Sequence, residues 1–370
     1  MRIAWMGKKT PFCGNVTYSR EITNLLTLKG YEIIFLHFSQ LVYPELKEIN
    51  DLFLPCSYKS QIYSIPTINA SQILINGLRL IKPQIVHASL TLSPLDFLLP
   101  EICKKMNIPL IATFHPPFSI RSVKGIANKQ LIMYKLYAPF LSQYDYIVIF
   151  SELQRNLLIK LGIPKRKILI IPNGVDSNKY IPSISPVNSR GKTQCTFVYQ
   201  GRISMEKNLS ALLEAWKLSA MGLRAKLVIM GTGPLAKKLI SQYNSLEGVL
   251  WIGSVVNERR RIEVLRKSNV FILPSFIEGL SLSLLEAMSC GLACLATDAG
   301  ADADLLDYET GIVLDPYNVT EELKILLPLL NMHNQFRQLL SIKSRKRIEE
   351  DYALARNILI LDLIYKNINL

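Results

Sequence analysis

Two carboxylates and two cations are the residues of this 370-residue chain whose types and spacing could do chemistry. The carboxylates lie in FILPSFIEGLSLSLLEAMSCGLACLATDAG, residues 271–300. An apolar run of strand type, Val270 to Leu273, stops at Pro274-Ser275, Glu278 and Gly279 follow, and a helical pattern then carries Glu286. A strand, a glycine-containing turn and a helix in that order aim unpaired helix N–H groups above a sheet, where the helix dipole favours a phosphate. Eight residues on a helix make ~2.2 turns and span about 12 Å, so the spacing predicts that one elongated ligand bridges both carboxylates. Sugar hydroxyls would then sit on Glu278 and a ribose diol on Glu286. The plainer alternative is a capping glutamate and a solvated one. Against it, Glu286 is followed by Ala287, Met288, Cys290, Gly291, Ala293 and Cys294, so a charge interrupts a segment that looks buried.

The cations are Arg202 and Lys207 in QGRISMEKNLSALLEAWKL. They flank a turn between a strand-like run, Thr196 to Tyr199, and an amphipathic helix, a place where two cations and helix N–H groups can hold a diphosphate. Gly231 opens GTGP, which lacks the G-K-[ST] ending of a nucleoside-triphosphatase loop.

The elements that must position these groups alternate. RIAWM reads as a strand, followed by a loop with Gly14, an amphipathic helix, Gly30 as its cap and a strand from Glu32 to Phe38. This opening βαβ unit lacks G-x-G-x-x-G, which disfavours a nicotinamide dinucleotide. Further strands are predicted at 84–88, 109–113, 146–150, 226–230 and 249–253, the spacing of doubly wound sheets. His87 and His115 fall at strand carboxyl ends, where such sheets bind ligands; Pro116-Pro117 fixes the turn after His115. A histidine there is either a satisfied core residue or a ligand contact. NERRRIEVLRKSN reads as a solvated basic helix, and 164–185, with PNGVD and a Pro/Ser-rich tail, as an interdomain linker.

With Glu278 and Glu286 as E-x7-E, Arg202 and Lys207 as G-R-x5-K, PNGVD, Gly14 and His115 in place, the chain resembles the large retaining glycosyltransferase family 4, or group 1. The resemblance covers nearly the whole chain. It implies the α/β GT-B architecture: two Rossmann-like doubly wound domains facing a central cleft, with a C-terminal helix crossing back to the first. The implied boundaries are 1–185 for an acceptor-side domain, 186–350 for a donor-binding domain and 351–370 for the returning helix. The implied donor contacts are Gly14, Arg202, Lys207, Gly231, Val255, Glu278, Gly279, Leu280, Ser281, Leu282 and Glu286, with His115, Glu278, Arg202 and Lys207 as the catalytic set. Asn15 departs from the commonest form of the glycine element. Asp302-Ala303-Asp304 falls at the family's Gly-Gly-x-x-Glu, so no metal is expected, and no cofactor beyond a nucleotide sugar, UDP-linked by preference, as substrate.

Composition narrows the partners. Lys plus Arg exceed Asp plus Glu by 14, and residues 1–185 hold 21 basic against 10 acidic side chains. Such a surplus suits a polyanion, an anionic surface or an anionic substrate. No RNA-binding aromatic signature or DNA-reading helix is present, which disfavours nucleic acid. In 116–144, Arg121, Lys124, Lys129 and Lys135 alternate with apolar side chains, a pattern of either a solvated face or a segment lying on an anionic bilayer. No run reaches the ~18 apolar residues of a membrane span, and no signal-type segment opens the chain. The expectation is a cytoplasmic enzyme peripheral to a membrane, a chloroplast thylakoid if plastid-encoded. It would transfer galactose or glucose to a glycolipid acceptor: the N-terminal run is similar to synthases making digalactosyl from monogalactosyl lipid. Rival classes are transfer to a soluble or polysaccharide acceptor, a sugar-nucleotide epimerase, which would need no acceptor, and a basic membrane- or nucleic-acid-binding protein.

Overall fold

Parallel strands covered on both faces read as nearly unbroken apolar runs, and those runs become the centres of two sheets. The structure is a computed structural model that describes the chain except Phe12, residues 41–49, 119–123, 184–193, 244–245, Tyr308 and 369–370, with backbone alone for 124–127. The first sheet contains β1 (Arg2–Met6), β2 (Glu32–Ser39), β3 (Asp51–Lys59), β4 (Ser64–Pro66), β5 (Ile85–Ser89), β6 (Leu110–Thr113), β7 (Tyr146–Ile149) and β8 (Ile168–Ile170). The second contains β9 (Cys195–Gln200), β10 (Ala225–Met230), β11 (Val249–Gly253), β12 (Val270–Leu273), β13 (Ala293–Thr297) and β14 (Ile312–Leu314). Their orders are β4-β3-β2-β1-β5-β6-β7-β8 and β11-β10-β9-β12-β13-β14, parallel throughout except for the β3–β4 pair. Both are Rossmann-like.

In each order the first strand of the sheet sits inside it, beside a strand reached by crossover: β1 next to β5, β9 next to β12. That is the topological switch point, at whose carboxyl edge open α/β sheets bind ligands. The turns leaving β9 and β12 carry Arg202, Lys207 and Glu278. Lys8 and Gly14 follow β1, and His115 follows β6. Fully buried aromatic side chains anchor both sheets, among them Trp5 in the first and Phe197 and Trp216 in the second. Each such burial contributes roughly 1.5–3 kcal/mol.

Compactness groups Met1–Pro116, Gln130–Pro172 and Ala355–Leu370 in one unit, and Pro117–Lys129 with Asn173–Leu354 in another. The break thus lies at Pro172 rather than 185, and hydrogen bonds explain it. Asn173 Nδ2 donates to the Leu280 carbonyl at 2.7 Å. The Val175 N–H donates to Tyr352 O and its carbonyl accepts from the Leu354 N–H, both at 3.0 Å. Asn173 and Val175 are therefore strapped into the second unit, while Pro172 stays with the first, where Asn357 Nδ2 donates to its carbonyl at 2.6 Å. Ala355–Leu370 packs in the first unit, where the Tyr31 hydroxyl donates to Asp362 at 2.6 Å and Tyr365 meets His87.

One further expectation is corrected. The helix Glu258–Arg266 is not uniformly solvated, because Arg261 is buried beside Ile262 and Leu265. Part of 116–144 forms a helix, Lys124–Leu141, while Arg121 and the Lys124 side chain lie outside the described residues. Among the described residues no helix is long and apolar enough to cross a membrane.

Candidate active site

After β12 the chain turns through residues 274–281 before the helix Leu282–Ser289 begins. Glu278 is therefore a turn residue and does not share a helix with Glu286, which corrects the spacing argument. Backbone bonds fix the turn: the Glu278 N–H donates to Ala299 O at 2.7 Å and the Ala301 N–H to Gly279 O at 2.9 Å. Gly300, at φ +151°, permits this approach, since a Cβ there would strike the Glu278 carbonyl.

The Glu278 side chain is 8% exposed and receives Lys207 Nζ at 2.5 Å and Ser275 Oγ at 2.7 Å, both on Oε1. No hydrogen bond reaches its Oε2 among the described residues. Lys207 ends a short 3₁₀ turn, Met205–Lys207, that follows β9. Arg202, about one-third exposed, pairs loosely with Glu206 at 3.7 Å. The close approach behind them needs Gly231, at φ +153°, where a Cβ would strike the Gly201 carbonyl. Gly279 and buried Leu280 lead to Ser281, the N-cap, whose side chain makes no cap bond and whose N–H donates to Asp302 Oδ1 at 2.8 Å. First-turn amides, those of Leu282 and Ser283, have no intrahelical acceptor and suit a phosphate oxygen.

Glu286 is buried within a polar cage that the sequence did not disclose. Tyr180 donates to its Oε1 at 2.9 Å, Gln200 Nε2 to its Oε2 at 2.5 Å, and Arg261 stands 3.8 Å from Oε1. Burial pushes the Glu286 carboxyl above the ordinary range against the opposing pull of Arg261, Gln200 and Tyr180. Burial also opposes the Arg261 charge, but Glu286 and Tyr180 outweigh it and hold the guanidinium protonated. Arg261 further donates to the carbonyls of Val256 at 3.0 Å and Val255 at 3.5 Å, so one guanidinium ties the Val255 loop to Glu286. The one sequence signal was that Arg261 lies four residues before Leu265, on the apolar face of its helix.

Asp302 is also buried. Burial, and then the Glu278 carboxylate, push its carboxyl well above the usual range, and its Oδ2 has no partner among the described residues. It is an internal brace for Ser281, not half of a D-x-D pair, since Asp304 is exposed.

In the first unit Gly14 is the exposed first residue of the helix Gly14–Leu28. Asn15 donates through Nδ2 to Leu90 O at 3.2 Å, and Ser89 Oγ lies 2.8 Å from Asn15 Oδ1 and 2.7 Å from His115 Nε2. The His115 ring packs edge-on to Tyr18 at 5.0 Å and against Phe150 at 5.3 Å. Burial and the Lys8 ammonium lower His115 to about 3, so it is a neutral imidazole. His87 is a core residue: fully buried, stacked on Trp5, with Tyr365 on Nδ1 at 2.5 Å and Thr113 on Nε2 at 2.7 Å. Burial, then His115, lower it to about 3 as well.

Known proteins are similar to this chain in sequence and in fold. A profile of Glycosyltransferase Family 4 matches residues 13–179 and one of Glycosyl transferases group 1 matches 181–347. The phosphatidylinositol N-acetylglucosaminyltransferase of Arabidopsis thaliana is 25% identical over 79% of this chain and 67% of its own. The sulfoquinovosyl transferase of the same plant is 25% identical over 94% and 70%. Among solved structures, Anabaena HepE in complex with UDP-glucose superposes with a TM-score of 0.78 at 14% identity, covering 99% of this chain and all of that one. Two Rossmann-like domains with their charged turns at the switch points, and profiles that between them take in nearly the whole length, place the chain in the family 4, group 1 glycosyltransferases of GT-B fold.

Proposed function

We propose that the chain is a retaining hexosyltransferase that moves galactose or glucose from a UDP-sugar to a membrane glycolipid, with monogalactosyl lipid as the favoured acceptor. The observation that carries it is the pair of Lys207 and Glu278 on neighbouring turns of the second sheet's switch point, with Glu286 fixed beyond them. Glu278 Oε2 accepts sugar hydroxyls, Glu286 takes the ribose diol, and Arg202, Lys207 and the Leu282–Ser283 amides take the diphosphate. Breaking the anomeric C–O bond leaves charge on that diphosphate, and these groups are preorganised to meet it without a metal. The acceptor oxygen attacks the face the diphosphate leaves, and its proton passes to a departing phosphate oxygen. Glu278 steadies the positive anomeric region without attacking it.

A lipid acceptor is favoured by one relative that is named for phosphatidylinositol, and by a face of the helix Lys124–Leu141. There Ile132 and Leu136, 65% and 53% exposed, alternate with exposed Lys129 and Lys135, apolar groups for acyl chains beside cations for anionic headgroups. The enzyme would be peripheral to a membrane, on a cytoplasmic or thylakoid surface. Incubation with a panel of labelled nucleotide sugars and total membrane lipid tests this. Label should move from a UDP-hexose into a lipid; label found only in free sugar, in an epimerised nucleotide sugar or in a soluble glycan would overturn it.

A further inference from the structure

A cleft of about 810 Å³ lies at the amino edge of the first sheet, where β6 and β7 begin, so the length of β6 separates it from His115. Its volume falls within the ~300–1,000 Å³ of small-ligand sites. All of its lining belongs to the first unit. Four segments build it: the last turn of the helix Leu95–Met106 with its cap Asn107, the loops entering β6 and β7, and the end of the helix Leu354–Ile368. Hydrogen bonds fix these walls. The Leu110 N–H donates to Asp145 Oδ2 at 2.8 Å and the Asp145 N–H to Leu110 O at 2.9 Å, which ties the two loops together. Asn107, at φ +54°, turns the chain out of its helix, and the Ile108 N–H closes that turn on Cys103 O at 3.0 Å. Lys167 Nζ holds the carbonyls of Ser142 and Tyr144, both at 2.8 Å. The cleft is thus preorganised.

Its lining sorts the ligands it could take. Lys104, Asn107, Gln143, Asp145 and Asn367 line it and are exposed, and Tyr146 adds an aromatic side chain with a polar tip. The side chains of Lys104, Asn107 and Asn367 make no hydrogen bond among the described residues. Gln143 uses one amide proton on Pro139 O at 3.3 Å and keeps its oxygen. Beneath them Cys103 and Leu110 are 1% and 2% exposed; burial, then Asp145, push the Cys103 thiol up to about 12, so it stays neutral. One ammonium against one carboxylate leaves the lining without net charge, and two helices end at it with their negative poles. An anion would meet Asp145 and those poles, a cation would meet Lys104, and a purely apolar ligand would leave the amides unpaired. A neutral ligand with hydroxyl donors and acceptors over an apolar ring satisfies them all.

We propose that this cleft is a second, non-catalytic site that binds a neutral glycosyl group through Asn107, Gln143, Asp145 and Asn367, either in a free oligosaccharide or in the headgroup of a glycolipid. Binding there is independent of the proposed transfer reaction. Saturation-transfer NMR of the full chain, with UDP in excess and titrated with lactose, melibiose and maltose, tests it. At least one disaccharide should bind saturably, with a Kd of about 1 mM or tighter. Asn107→Gly, which keeps the left-handed turn, combined with Asn367→Ala should weaken it about 10-fold or more, the loss expected for two hydrogen bonds, with the urea midpoint unchanged. Lys207→Ala, on the second sheet, should leave it unchanged. Release of the bound disaccharide by monogalactosyl lipid in neutral vesicles would assign the site to a glycolipid headgroup, and its retention to a free glycan. No saturable binding of any of the three, binding that the double variant leaves intact, binding lost in Lys207→Ala, or displacement by phosphate or spermidine at lower concentration than by the sugars would overturn the proposal.

Discussion

Replacing Arg261 by Met removes a cation from beside a buried carboxylate and keeps most of the side-chain volume. Arg261 is 4% exposed and Glu286 7%, so little water can replace the lost charge. Stranding a buried ion in this way costs about 3–5 kcal/mol when the remaining partner is ionised. The cost must depend on pH. Burial already raises the folded pKa of Glu286 above its unfolded value, so the stability this carboxyl confers is fully present below about 4.5, its unfolded pKa, and is lost as pH rises through the folded value. Without Arg261 that folded value moves higher and the loss deepens. Glu258, the other acid facing Arg261, at 4.0 Å, is about one-quarter exposed and also paired with Lys179, so it contributes less. Urea unfolding followed by tryptophan fluorescence should therefore show Arg261→Met close to wild type at pH 5, short by only about 1 kcal/mol for the lost bond to Val256 O. At pH 8 the deficit should reach about 3–5 kcal/mol, and adding Glu286→Gln should recover most of it. A deficit independent of pH, or larger at pH 5, would show that the two charges are not coupled as described.

Lys207→Ala should lower kcat by ~100-fold or more, the order of losing one preorganised charge stabiliser, whereas Glu286→Ala should act mainly on donor KM; equal, small effects on both parameters would mean the diphosphate lies elsewhere. A chelator should leave transfer largely intact, and complete loss restored by magnesium or manganese would overturn the assignment of leaving-group charge to side chains. Neutralising Lys129 and Lys135 should weaken binding to anionic vesicles by ~2 kcal/mol, or about 30-fold at low salt, and extending the change to Arg121 and Lys124 should weaken it further. Vesicle binding untouched by all four changes would move a soluble acceptor ahead.

Much of the fold is legible in the sequence because central parallel strands announce themselves as short apolar runs, and β1, β2, β5, β6, β7, β9, β10, β11 and β12 lie within a residue or two of the expected places. β3 is hidden because Pro55 interrupts its run and demotes it by the usual rule; its pairing with β4 begins only beyond that residue, at Cys56. The charged turns are legible for another reason: Arg202 and Lys207, or Glu278 and its helix, lie close in sequence, and a local spacing can express them. What surrounds them is not local. Tyr180 and Glu286 are 106 residues apart, Gln200 and Glu286 86, Asn15 and Ser89 74. Only the strand order brings such pairs together, and a basic run such as NERRR gives no sign by itself that one of its arginines turns inward.

The configuration of the product tests the central claim most directly. The purified chain, given a UDP-α-hexose and the glycolipid acceptor in anionic vesicles, should yield a glycolipid whose new linkage is α by proton NMR. A β linkage, or consumption of the donor with no sugar joined to lipid, would contradict retaining transfer to a membrane acceptor.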